Sequence, residues 1–157
     1  MKILVVYYSF DGNTRLIAET IAQETGADSL ELRTEDEPRS KGFSKYFWGG
    51  RQVFMKVRPA LFALDKDPAQ YDFLFIGTPV WAFAPAPAMS AFLEKSGIRG
   101  KRVALFCCSG GGMGRTLARM EEALAGNVIA GRMHFIEPRR TQKASVEKAR
   151  RWAREMM

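Results

Sequence analysis

The sequence predicts an α/β fold, a doubly wound sheet of five parallel strands with helices on its faces. Three observations carry this. Apolar runs rich in Ile, Leu, Val and Phe recur at 2–9, 72–78 and 102–108, too continuous for strands with one wet face and suited to strands covered on both. Segments with apolar residues at helical spacing alternate with those runs. The chain has 157 residues, of which 46% are hydrophobic and 26% charged, enough to fill one substantial core, so a single domain over 1–157 is expected.

The elements follow in order. Residues 2–9 read as the first strand, and 14–25 as a helix with Ile17, Ala18 and Ile21 on one stripe and Gly26 as its stop. Residues 30–33 suggest a second strand. "DFLFIGT" at 72–78 and "RVALFCC" at 102–108 read as central strands, with 128–137 as the last. Helices are expected at 89–95, 116–124 and 145–156. In the last of these Val146, Ala149, Ala153 and Met156 form the apolar stripe, and Lys148, Arg150, Arg151 and Arg154 contribute to a basic outer face. The crossover at 36–67 is too long for a simple connection. It sets Phe43, Tyr46, Phe47, Trp48 and Phe54 among Lys41, Lys45, Arg51, Lys56 and Arg58, which reads as helical turns that pack on the sheet, form a lid or meet a second copy in a homodimer.

Several function classes fall away. The longest apolar stretch, 71–89, is interrupted by Asp72, Pro79, Pro85 and Pro87, so no transmembrane segment or signal peptide is expected. Cys107 and Cys108 are adjacent, without metal-ligand or dithiol spacing; inert thiols, no metal site and a cytoplasmic setting follow. The net charge of +7 favours an anionic partner without naming one, and no nucleic-acid motif accompanies it. A phosphoacceptor domain of similar topology needs clustered carboxylates where these strands end in Ser9, Thr78 and Ser109.

In a parallel sheet the carboxyl ends of the strands share one edge, and ligands bind in the crevice outside them. Three loops fall there. "SFDGNT" comprises Ser9, Phe10, Asp11, Gly12, Asn13 and Thr14 and leads into a helix whose unpaired amides suit a phosphate; an ordinary cap by Asp11 or Asn13 is the alternative. "TPVWAFAPAP" begins with Thr78, Pro79, Val80 and Trp81 and continues through Phe83; an indole there can stack on a flat aromatic ring. "SGGGMG" offers Ser109, Gly110, Gly111 and Gly112, whose open backbone can run along a ring edge. A phosphate pocket, an aromatic stack and an amide-lined edge are together what a flavin mononucleotide requires.

With "YSFDGNT", "GTPVW" and "SGGG" in these positions, the sequence resembles the flavodoxin family, of the short-chain type. The resemblance implies strand order 2-1-3-4-5 and one noncovalently bound FMN. It places Ser9, Gly12, Asn13 and Thr14 in the phosphate loop, Trp81 against the isoalloxazine and Ser109 to Gly112 in the loop after the fourth strand. Three features depart from the pattern. Asp11 stands where many members carry a hydroxyl, the third loop has no aromatic residue so that one flavin face is covered by Met113 alone or left open to a small substrate, and the chain is basic where carriers are commonly acidic. The leading expectation is a redox protein exchanging electrons with a protein partner, with no catalytic side chain of its own. The rival is an NAD(P)H-dependent reductase of quinones or free flavin. His134, the lone histidine, is expected to be structural.

Overall fold

The computed structural model describes residues 1–35 and 58–157. Five parallel strands, β1 (Ile3–Tyr7), β2 (Asp28–Glu31), β3 (Phe73–Trp81), β5 (Arg102–Ser109) and β6 (Val128–Ile136), lie in the order β2-β1-β3-β5-β6. Counted as parallel strands alone this is 2-1-3-4-5, as expected. The two-residue β4 (Ala84–Pro85) pairs antiparallel with the end of β3. The helices are α1 (Asn13–Thr25), α2 (Pro87–Lys95), α3 (Thr116–Ala123) and α4 (Gln142–Met156), and one 3-10 turn spans Pro68–Gln70.

The three central strands β1, β3 and β5 are buried on both faces, which explains their unbroken apolar runs, while β2 and β6 at the edges are more exposed. Leu4, Val6, Leu74, Ile76, Val103 and Leu105 join α2 and α3 in one core layer, while Val5, Phe73, Phe75, Ala104 and Phe106 join α1 and α4 in the other. Trp152 of α4 meets the rings of Phe75 and Phe106 edge-on, at 5.6 and 6.4 Å. Alternation along β5 sends Cys107 into the first layer and Cys108 into the second.

Several boundaries moved by a few residues, two of them with a clear cause. β2 begins at Asp28 because its register is set by pairing Leu4 with Asp28 and Tyr7 with Glu31. β3 runs three residues beyond the predicted strand end, through "PVW", because Val80 and Trp81 find antiparallel partners in Pro85 and Ala84. The segment read as a rigid loop is therefore a hairpin, turned by Ala82 and Phe83 at φ 49° and 61°. Both turn residues are left-handed, the signature of a type I′ turn, built here without Asn or Gly. The crossover expectation falls largely on 36–57, outside the described residues. Past it, Leu61 bridges to Thr34 and Arg58 pairs with Glu94 at 2.7 Å. Among the described residues, no helix is long and apolar enough to cross a membrane.

Candidate functional site

β1, β3 and β5 are neighbours in parallel register, so the loops that follow them meet at one sheet edge. In the first loop Gly12 is left-handed, at φ 97° and ψ −7°, and precedes α1 without a side-chain cap. Its carbonyl accepts the Leu16 amide at 3.0 Å, starting the helix. Ser9 Oγ accepts the Arg15 amide at 3.1 Å and Asp11 Oδ1 accepts the Asn13 amide at 3.2 Å. Asp11 thus points back into its own loop. Asn13 Oδ1 accepts the Arg139 amide at 2.9 Å, tying the loop to the turn between β6 and α4.

Thr14 is 1% exposed, and its Oγ1 is buried without a hydrogen-bond partner among the described residues. It lies close enough to the Cys108 thiol to oppose slightly the upward push that burial gives that thiol's pKa, though no regular hydrogen bond forms. Nor do the amides of Gly12 and Thr14 have acceptors among the described residues. A native interior rarely leaves such donors unmet. Free amides at a helix start, with an orphaned hydroxyl beside them, fit a phosphate oxygen acceptor.

The second loop divides in two. Thr78 and Pro79 are buried: Thr78 Oγ1 accepts the Ala86 amide at 3.1 Å and donates to the Pro79 carbonyl at 2.9 Å, closing the hairpin from inside. Val80 and Trp81 are half-buried. The Trp81 ring stands edge-on to Tyr8 at 5.8 Å and to Phe10 at 5.7 Å, so Phe10 helps fix the indole. Phe83, at the hairpin tip, is 68% exposed.

In the third loop Ser109 Oγ contacts His134 Nε2 at 2.6 Å, accepts the Gly111 amide at 3.2 Å and faces the Gly111 carbonyl at 3.0 Å. Burial, then Lys148, lower the His134 pKa, which keeps the imidazole neutral at pH 7. Gly110 and Gly111 are exposed, with nothing near a side-chain position. Gly112 and Gly114 instead abut Phe83: a Cβ on Gly114 would lie 2.5 Å from Phe83 Cβ and 2.8 Å from its carbonyl oxygen. The hairpin and the third loop therefore pack as one wall. Met113 does not cover this wall, because it packs into the core beside Cys107, with the two sulfurs 4.0 Å apart.

The three predicted loops are brought together, with Thr78 and Pro79 serving the hairpin's interior. Sequence reasoning missed Arg139 and gave His134 no partner. Both reach the site from β6 and the turn after it, far along the chain, so no local spacing could reveal them.

A family model described as Flavodoxin matches residues 2–149. The chain belongs to the flavodoxin family. It is 31% identical over 136 residues, 85% of this chain and 67% of the other, to a protein of Cupriavidus metallidurans named NAD(P)H dehydrogenase (quinone). A flavoprotein of Lactobacillus acidophilus, solved in complex with FMN, is 26% identical and superposes with a TM-score of 0.72 over 90% of this chain and 97% of its own. The oxidised Flavodoxin 2 of Bacillus cereus, at 20% identity, shares the fold, with a TM-score of 0.64 over 99% and 97% of the two chains.

Proposed function

We propose that the chain is an FMN-binding redox protein that exchanges electrons with a protein partner. The observation that carries this is the start of α1, where two amides and the buried Thr14 hydroxyl lack hydrogen-bond partners among the described residues, beside a left-handed glycine. A phosphate there would leave the attached ring system to the wall formed by the hairpin and Ser109 to Gly112. When bound, FMN supplies the electron-transfer chemistry. Asn13, Gly12 and Thr14 would hold its phosphate; Trp81, braced by Tyr8 and Phe10, would present an apolar surface to the ring; and the Gly110 and Gly111 backbone would offer hydrogen bonds to the ring's polar edge. Phe83 on the rim gives an incoming protein an exposed aromatic anchor.

The second reading is a reductase using NAD(P)H and a quinone or free flavin. It is favoured by the relative named NAD(P)H dehydrogenase (quinone) and by Met113, whose packing into the core leaves the wall open to a small molecule. The protein is reconstituted with FMN, freed of excess and mixed anaerobically with NADPH. Slow bleaching of the visible bands that becomes rapid on addition of a flavoprotein reductase supports the carrier. Rapid bleaching by NADPH alone supports the reductase, and failure to retain FMN removes both.

A further inference from the structure

The phosphate loop carries a carboxylate, Asp11, whose side chain uses the Asn13 amide at 3.2 Å. A dianionic ligand at this loop would therefore meet a negative group and one donor fewer than the backbone could offer. The structure also shows what offsets this. Arg139 comes from the turn after β6, which is pinned to the end of β5 by the Glu137 amide donating to the Ser109 carbonyl at 2.9 Å. Its backbone amide donates to Asn13 Oδ1, and its Nη1 donates to the Asp11 carbonyl. Its side chain lies over Gly12, with Cδ and Nη1 each 3.5 Å from where a Cβ on that glycine would stand.

The neighbouring cations are engaged elsewhere. Arg15 pairs with Glu31, Arg140 with Glu137 at 3.2 Å, and Lys148 Nζ donates to the His134 carbonyl at 2.8 Å. The guanidinium anchored to the phosphate loop itself is that of Arg139, and its Nε and Nη2 have no acceptor among the described residues. A planar fork with donors to spare, fixed beside free helix amides, matches phosphate oxygens in charge and shape.

We infer that Arg139 is a phosphate-binding residue of this site, replacing the donor capacity and the charge that Asp11 withdraws. This rests on the FMN reading above and adds a residue from outside the three loops. It also accounts for a carboxylate standing where a hydroxyl is usual: acid and guanidinium form a compensated pair across the loop. The side chain recognises the phosphate alone, so it discriminates FMN from riboflavin and leaves the ring's own contacts untouched.

The test is the affinity of the full chain for FMN and for riboflavin, by fluorescence quenching at low and moderate salt, in the wild type, Arg139→Gln and Arg139→Lys. The Gln variant keeps the backbone amide that binds Asn13, and the thermal melt of each flavin-free variant checks that it folds. Expected is an FMN affinity about tenfold weaker in Arg139→Gln at low salt, an unchanged riboflavin affinity, a shallower salt dependence, and partial recovery in Arg139→Lys, which keeps the charge and loses the fork. Equal loss for both flavins, or no loss for FMN, overturns the inference while FMN binding by the wild type stands. A wild type that binds neither flavin overturns the inference together with the reading beneath it.

Discussion

Replacing Gly114 with alanine tests whether the hairpin and the third loop form one wall. Two costs can be separated. Gly114 sits at φ 52°, where an L-residue loses about 1–2 kcal/mol relative to glycine. The added methyl would lie 2.5 Å from Phe83 Cβ, 2.8 Å from its carbonyl oxygen and 3.1 Å from its Cα, so the neighbour that must yield is mostly backbone. Overpacking of this kind costs about 1–3 kcal/mol, and because the exposed hairpin tip can shift, the low half of that range applies. The expected loss is about 2–4 kcal/mol. It is read by urea denaturation with circular dichroism, at constant m. Gly111→Ala is the control in the same loop, since nothing lies within 4 Å of a Cβ there and its φ is ordinary; its change should stay within about 0.5 kcal/mol. Equal effects for the two variants would refute the packing described between Phe83 and Gly114.

Other predictions follow from single groups. Thr14→Val removes a hydroxyl that has no partner among the described residues, so the flavin-free protein should be as stable as the wild type or up to about 1 kcal/mol more stable, while FMN affinity falls about tenfold by fluorescence titration. His134 has a folded pKa below its ordinary value of 6.5, so the unfolded chain binds more protons there; stability should fall as pH drops below about 6.5, and denaturant midpoints of His134→Asn should lack that component. Burial pushes the Cys107 thiol up to about 12 and that of Cys108 up as well, so both should resist a disulfide reagent at pH 8 until denaturant is added.

The fold was legible because its signals are local. Val5, Ile76 and Leu105 lie in runs that only doubly covered strands require, and Gly26, at φ 68°, stops α1 where expected, with its amide on the Ala22 carbonyl. The hairpin was not legible, because Ala82 and Phe83 are poor residues for left-handed turns; the conformation is imposed by β4 pairing and by packing on Gly114. The site was legible as three loops and illegible where it depends on contacts between distant segments. Asn13 and Arg139 are 126 residues apart, and Ser109 and His134 are 25 apart. Their meeting is a product of strand order, which a linear pattern gives only in outline. Met113, one of two readings for that flavin face, packs partly buried against the core with its sulfur 4.0 Å from that of Cys107, a contact no local pattern signals.

One irregularity in the sheet governs how tolerant this architecture is of length change. Between β5 and β6 the register steps from Val103 against Ile129 to Ala104 against Gly131, leaving Ala130 as the supernumerary residue. Beyond it the pairing is regular again, with His134 opposite Cys107 and within reach of Ser109, and Phe135 opposite Cys108 in the other layer. Excising Ala130 would let Ile129 and Gly131 follow one another against Val103 and Ala104, so the ladder would close with His134 and Phe135 on their present faces. The bulge thus absorbs a one-residue difference in length near the start of β6, and the carboxyl edge that carries the site is insulated from it.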